Sequence, residues 1–300
     1  MNMDFKSAKE LLELCEQTQL PISEVMRQRE CILGETPRDA VDHRMGKAWE
    51  IMRSSATQPL KKPIKSMGGL IGGEARKLEA HYNKKKSICG DVLEKAMTYA
   101  MAVLEVNASM GLIVAAPTAG ACGVLPAVLV PLYRRGTVDE EAIVRALYVA
   151  AGIGAVVGYR ASISGASGGC QAEVGTAAAM AAGALVDLRG GGPEQIGHAV
   201  AMALKNLMGL VCDPVAGLVE VPCVKRNVIG AVNAVSAADM ALAGIESRVP
   251  VDQVIDCMGD VGRRLPVELR ETALGGLAAT PFGQSVKAKR EERRSQEQEL

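Results

Sequence analysis

Residues 171–188 read Q-A-E-V-G-T-A-A-A-M-A-A-G-A-L-V-D-L, an alanine-rich run with Gly175 and Gly183 inside it. Alanine is the strongest helix former, so the run predicts a helix. A helix with side chains this small can bury itself only by close approach to its neighbours. The rest of the chain has the same bias. It is 48% hydrophobic but only 3% aromatic, with 32 glycines. That supply suits tightly packed small-residue helices and not aromatic-filled sheets. With 300 residues the chain can bury one large core or two modest ones. No linker divides it, and no convincing period-2 strand or internal repeat appears. The expected fold is all-α: a single Ala/Gly-rich multi-helix domain over residues 1–285, followed by a charged tail, 286–300, either exposed helix or frayed.

Local signals supply the helix ends. Ser7 with Glu10 forms a capping-box pattern. Pro21 ends that segment and Ser23 is the expected cap of a second, short helix. Thr36-Pro37 opens a third, running past His43 and Trp49 towards Arg53. A long loop is expected from Gln58 to Gly73, then a helix from Glu74 to about Tyr82, and another over Asp91–Met110. Thr137 with Glu140 is read as a second capping box. Gly192-Pro193-Glu194 starts a helix through His198 and Lys205. A further helix follows Cys223, over Asn227 to about Gly244, and a turn or two spans Val251–Met258. Val124–Leu132 is the ambiguous piece, rich enough in valine to be a strand.

Charge and targeting signals exclude several classes. The formal net charge is zero, so nothing points to nucleic acid or an acidic membrane surface. From Val106 to Tyr133 no residue is charged, which is long enough on paper to span a bilayer. Pro117, Pro126 and Pro131 interrupt it, and the expectation is two buried segments meeting at a loop, with no membrane span. The first residues, M-N-M-D-F-K-S-A-K-E, contain no apolar signal core. The expected location is the cytoplasm, where scattered cysteines are more often metal-binding or catalytic than bridged.

Of the eight cysteines, three lie in glycine- and proline-punctuated stretches: Cys170 in G-A-S-G-G-C-Q-A-E, Cys212 in L-V-C-D-P-V-A-G, and Cys223 in V-E-V-P-C-V-K-R-N. Cys170 is expected at a helix N-terminus, where free N–H groups favour a thiolate. Cys212 precedes a helix-breaking Asp213-Pro214, and Cys223 is followed by the cations Lys225 and Arg226. Iron–sulfur clusters are held by thiolates, and three of them would leave a four-iron cluster one open corner. On pattern alone, buried filler and metal ligand both remain open readings. Cys15, Cys31, Cys89, Cys122 and Cys257 read as fillers.

At these residues a resemblance appears. S-I-S-G-A-S-G-G-C-Q-A-E-V-G and A-L-K-N-L-M-G-L-V-C-D-P-V-A-G-L-V-E-V-P-C-V-K-R-N are similar to the iron–sulfur-dependent L-serine dehydratase family, alpha chain. So are S-M-G-G-L-I-G-G-E-A at Ser66–Ala75, N-A-S-M-G at Asn107–Gly111, A-P-T-A-G at Ala116–Gly120, and R-E-T-A-L-G-G-L-A-A-T-P at Arg270–Pro281. The likeness covers nearly the whole length. It implies an all-helical catalytic portion, a 4Fe-4S cluster on Cys170, Cys212 and Cys223, and conversion of L-serine to pyruvate and ammonia. An open iron would act as a Lewis acid on the β-hydroxyl while a base removes the Cα proton.

Candidate substrate contacts are Ser162, Ser164 and Gly165 near the cluster, Lys205 and Asn206 before Cys212, and Ser66 and Gly69 in a glycine loop able to bind an anion. Lys225 and Asn227 are candidate supporting groups. Solvated, capping or plain loop roles are the alternatives for these residues. None of the three histidines has the context of a general base. Family members carry a second portion with a Ser-Ser-His-Thr type segment, which does not occur here. The resemblance therefore implies a beta-chain partner that contributes substrate-binding groups or the base. Rival readings are an iron–sulfur hydro-lyase for another small hydroxy or amino acid, and a non-catalytic cluster-based redox sensor. No lysine stands in a recognisable Schiff-base context, so pyridoxal phosphate (PLP) is not expected.

Overall fold

The computed structural model describes residues 3–298, and no strand occurs among them. In chain order the helices are α1 Ala8–Thr18, α2 Ile22–Leu33, α3 Arg38–Lys61, α4 Glu74–Asn83, α5 Gly90–Ala108, α6 Val124–Arg134 and α7 Glu140–Arg160. They continue as α8 Gly165–Gly168, α9 Thr176–Leu188, α10 Pro193–Asn206, α11 Cys223–Leu242, α12 Val251–Arg264 and α13 Pro281–Gln298. Residues 1, 2, 299 and 300, which belong to the N-terminal and tail expectations, lie outside the described residues.

The alanine-rich run forms the centre. Every residue of α9 from Thr176 to Val186 is buried, with α6, α7, α10 and α11 packed around it. Full burial of a leucine such as Leu204 contributes about 1.5–3 kcal/mol. Alanine contributes less, so this core depends on dense packing. Glycines permit it. A Cβ on Gly183 of α9 would collide with Ile153 of α7 and lie 3.3 Å from Ile196 Cγ2 of α10. A Cβ on Gly230 of α11 would lie 2.8 Å from Val174 Cγ1 and 3.0 Å from Val124 Cγ2.

The uncharged stretch behaves as two segments meeting at a loop. α5 ends at Ala108, a 3₁₀ turn covers Ala119–Ala121, and α6 begins at Val124. Val124–Leu132 is thus helical. Pro126 sits in the first turn of α6, where its missing N–H costs nothing, and the buried packing of the helix tolerates Pro131. Among the described residues one helix, Glu140–Arg160, is long and apolar enough to cross a membrane by length and composition, and 56% of its most apolar window is buried inside the protein.

Several ends differ from expectation. Ser23 is buried inside α2, whose N-cap is Pro21. Asp139, not Thr137, caps α7: its Oδ1 accepts from Ala142 N at 2.8 Å, while the Thr137 hydroxyl turns back to Leu132 O at 2.9 Å. α3 continues past Arg53 to Lys61, with Pro59 inside its last turn. α12 reaches Arg264, with a strongly amphipathic pattern that the shorter reading truncated. The charged C-terminal run belongs to α13, which is docked: Gln284 Nε2 donates to Ala278 O at 2.9 Å and Arg290 Nη1 to Ala216 O at 2.8 Å.

Candidate metal centre

Three separate stretches bring Cys170, Cys212 and Cys223 near one another. The first is the turn carrying Cys170, which caps a π-helical turn, Gln171–Gly175, that runs straight into α9. Gly169 before it has φ +76°, and a Cβ there would sit 2.9 Å from Leu210 O, so only glycine suits the position. Gln171, 1% exposed, locks this turn to the Cys212 loop. Its N–H donates to Leu210 O at 2.9 Å and its Oε1 accepts from Gly209 N at 2.9 Å. Its Nε2 donates to Gly168 O at 2.9 Å and Met258 O at 3.2 Å.

The second stretch carries Cys212. It pairs with residues 269–271: Cys212 N donates to Leu269 O at 2.8 Å and Glu271 N to Cys212 O at 2.7 Å. This brings Glu271, at φ +65°, onto the same spot. The third stretch presents Cys223 as the first residue of α11. Cys170 and Cys212 are 4% and 5% exposed, and Cys223 is half-buried.

The thiols lie close enough for Cys170 and Cys223 to raise Cys212, and for Cys170 to raise Cys223. Burial pushes the Cys170 thiol up to about 12, with the Arg226 guanidinium pulling against it. Burial and then Cys170 push Cys223 up to about 12, again opposed by Arg226. Cys212 is raised further, by burial first and then by Cys170, Glu173, Glu271 and Cys223. The loops were expected to favour thiolates by themselves. They do not, because desolvation outweighs the pull of Arg226. Cys122 is also raised by burial, but no charged neighbour contributes, as befits a filler.

Two carboxyl groups lie beside Cys212. One ligand atom each from Glu173, Cys212 and Glu271 lies within 4.8 Å of the others, an arrangement able to hold a metal ion. Glu173 is buried, and Thr118 donates to its Oε1 at 2.7 Å. Burial raises its pKa, Thr118 partly offsets that, and Glu271 adds to the rise. Glycines make room for it: a Cβ on Gly165 would lie 2.7 Å from Glu173 Oε2, and one on Gly120 3.3 Å from both oxygens. Arg226 is the cation of the group. Its Nη1 lies 2.8 Å from Asp213 Oδ1 but directs its hydrogen bond to Val211 O at 2.7 Å. Asp213 Oδ1 therefore has an ion-pair neighbour without an aligned hydrogen bond.

The other expected site residues separate into two sets. Gly165 lies against the two carboxyl groups. Asn227, fully buried, ties α11 to the A-P-T-A-G-A-C-G loop: its Oδ1 accepts from Gly123 N at 3.0 Å, and its Nδ2 donates to Gly120 O at 2.8 Å and Cys223 O at 2.9 Å. Ser164 N donates to Ser162 Oγ at 3.1 Å. Ser162 lines a cavity of about 280 Å³ with Ser167, Gly168, Met258 and Arg263, a cavity that none of the three cysteines lines. Lys205 Nζ donates to Ser247 O at 2.7 Å and Asn206 Nδ2 to Asn233 Oδ1 at 2.7 Å, so both serve as struts between elements. Lys225 is exposed. The glycine loop does bind an anion, but an internal one. Ser66 Oγ donates to Glu220 Oε2 at 2.7 Å, and Gly69 N donates to Ser66 Oγ at 3.1 Å.

Sequence reading missed Glu173 and Glu271. Of the histidines, His198 accepts from Ser247 N at 3.4 Å. A signal for Glu173 was present in C-Q-A-E: read as α-helix, a residue three positions after Cys170 shares its face, although the turn is π-helical.

Comparison with known proteins gives the chain's family. Residues 17–278 match the family described as "Serine dehydratase alpha chain". The chain is 48% identical over 285 residues to a probable L-serine dehydratase alpha chain of Bacillus subtilis, covering 95% of each. It is 43% identical to the L-serine dehydratase alpha chain of Peptoniphilus asaccharolyticus, covering 94% of this chain and 96% of that one. A longer relative, an L-serine dehydratase of Escherichia coli, is 40% identical over 92% of this chain but only 62% of its own length. The chain belongs to the serine dehydratase alpha-chain family.

Proposed function

We propose that this chain is the catalytic alpha subunit of an L-serine dehydratase, an L-serine ammonia-lyase that converts L-serine to pyruvate and ammonia. The observation that carries the reading is that Cys170, Cys212 and Cys223 come close enough to act on one another's charge, with Glu173 and Glu271 beside Cys212. Cys170, Cys212 and Glu173 are buried, Cys223 is half-buried and Glu271 is exposed; burial raises all three thiols, and Arg226 opposes the rise at Cys170 and Cys223. Such a donor set is electrostatically incomplete, and an iron–sulfur group suits it. Cys170, Cys212 and Cys223 would hold a 4Fe-4S cluster, which when bound supplies Lewis acidity toward the serine β-hydroxyl, otherwise a poor leaving group.

The chain's own residues supply the remaining chemistry. Glu173 is the in-chain candidate for the base. Its Oε1 is occupied by Thr118, leaving Oε2 on the Gly165 side to take the Cα proton. Its upward-shifted pKa brings it nearer to working pH, which suits proton transfer. Gly165 leaves space beside both carboxyl groups, and the depth of Cys170 and Cys212 excludes water. Loss of the proton and the hydroxyl gives aminoacrylate, which tautomerises to an imine and hydrolyses.

A beta chain completes the enzyme in this reading. Its support is that the chain aligns with whole alpha chains but with only 62% of the longer Escherichia coli relative. The cytoplasm is the proposed location, supported by eight cysteines that are all free. The test is anaerobic reconstitution of the chain with its partner, followed by iron and sulfide analysis and turnover of L-serine, D-serine, L-threonine and small hydroxy acids. Turnover of L-serine is expected, with iron and activity lost in Cys170→Ser, Cys212→Ser and Cys223→Ser but kept in Cys15→Ser and Cys257→Ser. An iron-loaded complex inert toward L-serine would sink the reading.

A further inference from the structure

The glycine loop at Ser66–Ile71 has the composition of an anion cradle, and its ligand is part of the protein. Glu220, 1% exposed, places its carboxyl group in the loop. Gly68 N donates to Oε1 at 2.6 Å, Leu70 N to Oε2 at 3.0 Å and Ser66 Oγ to Oε2 at 2.7 Å. The Ser66 hydroxyl also organises the loop by accepting from Gly69 N at 3.1 Å and Ile71 N at 3.3 Å. Gly68 must be glycine, because a Cβ would lie 2.7 Å from Glu220 Oε1 and collide with Leu218. The loop is fixed in turn to the end of α5 by Met67 N to Ala108 O at 2.9 Å.

The main chain of Glu220 faces the other way. Its carbonyl accepts from Val224 N at 3.1 Å, closing the first turn of α11 around Cys223, and the adjacent Val221 O accepts from Val215 N at 2.8 Å. Side chain and carbonyl of one residue thus connect a rigid loop to the turn that presents a cysteine. We infer that Glu220 is a positioning residue: the Ser66–Ile71 loop grips its carboxyl group and thereby sets where Cys223 stands relative to Cys170 and Cys212. The significance for metal binding rests on the function proposed above; the anchoring of Cys223 can be measured without metal.

The experiment uses the full chain, stripped of metal and kept anaerobic, with folding checked by circular dichroism. N-ethylmaleimide labelling is followed peptide by peptide by mass spectrometry. Loss of one strong buried anchor in Glu220→Gln should accelerate Cys223 labelling about tenfold or more, while Cys170 keeps its wild-type rate. Ser66→Ala, which removes only the hydroxyl, should move Cys223 in the same direction by a smaller factor, and it decides the matter should Glu220→Gln fail to fold. An unchanged Cys223 rate, or equal acceleration of Cys170, overturns the inference. After iron and sulfide reconstitution, Glu220→Gln should carry less iron per chain than wild type. Wild-type protein that takes up no iron would refute the cluster reading and leave the thiol rates to judge the anchor.

Discussion

Asn227→Ala should reveal how firmly α11 is tied to the loop that carries Thr118. The side chain is fully buried and makes three hydrogen bonds. The Cys223 carbonyl lies in the first turn of α11 and keeps its place in the helical ladder without it. The buried Gly123 amide does not: Asn227 Oδ1 at 3.0 Å is its acceptor. The Gly120 carbonyl loses its donor at 2.8 Å, but it is half-buried and recovers part of the loss from water. A buried orphan costs about 1–3 kcal/mol, and the truncated side chain leaves a small void, so the total is about 2–4 kcal/mol. For a chain of this size that corresponds to a melting temperature lower by roughly 3–6 °C. Urea denaturation of wild type and variant gives the difference directly. Asn227→Asp should be at least as destabilising, since it retains an acceptor for Gly123 but sets an oxygen against Gly120 O inside the core. A loss below about 0.5 kcal/mol in Asn227→Ala would refute the reasoning, because an orphaned buried amide cannot be that cheap.

Glu173→Gln should lower kcat by about 10²–10⁴-fold with iron content unchanged; an unaltered kcat in steady-state assays removes Glu173 from proton transfer. Arg226→Leu should destabilise by about 3–5 kcal/mol, because it strips the cation from Asp213, whose side chain is 4% exposed; a loss under about 1 kcal/mol in denaturant titration would show Asp213 to be stabilised by other groups. In Gly230→Ala a gain of about 1 kcal/mol in helix propensity meets overpacking of about 1–3 kcal/mol against Val174 and Val124. Its melting temperature should fall, and a rise would mean that the α11 crossing has slack.

Helix was legible where local chemistry decides it. The alanine run of α9 and the Ser7 cap, which accepts from Glu10 N at 3.0 Å, depend on neighbours within a turn. Helix ends were less legible, because packing decides them: Pro59 and Pro131 sit inside α3 and α6 despite their local preference. The same holds for the valines of Val124–Leu132, where burial on all sides removes the periodicity that separates helix from strand.

The sequence by itself determined the class of fold and, through its long motifs, the three cysteines that merit attention. Small side chains demand close helices, and glycine and proline mark the loops between them. Only the tertiary structure decided what those loops do. Forty-one and ten residues separate the three cysteines along the chain, and spacing of that size says nothing about distance. Gln171, the pairing of Cys212 with Arg270, and the grip of the Ser66 loop on Glu220 bring them together. The structure also turned the glycine loop from a candidate substrate site into an internal clamp and brought Glu173 and Glu271 beside the thiols. Those outcomes depend on which groups lose water together, a property of the folded interior that no local pattern encodes.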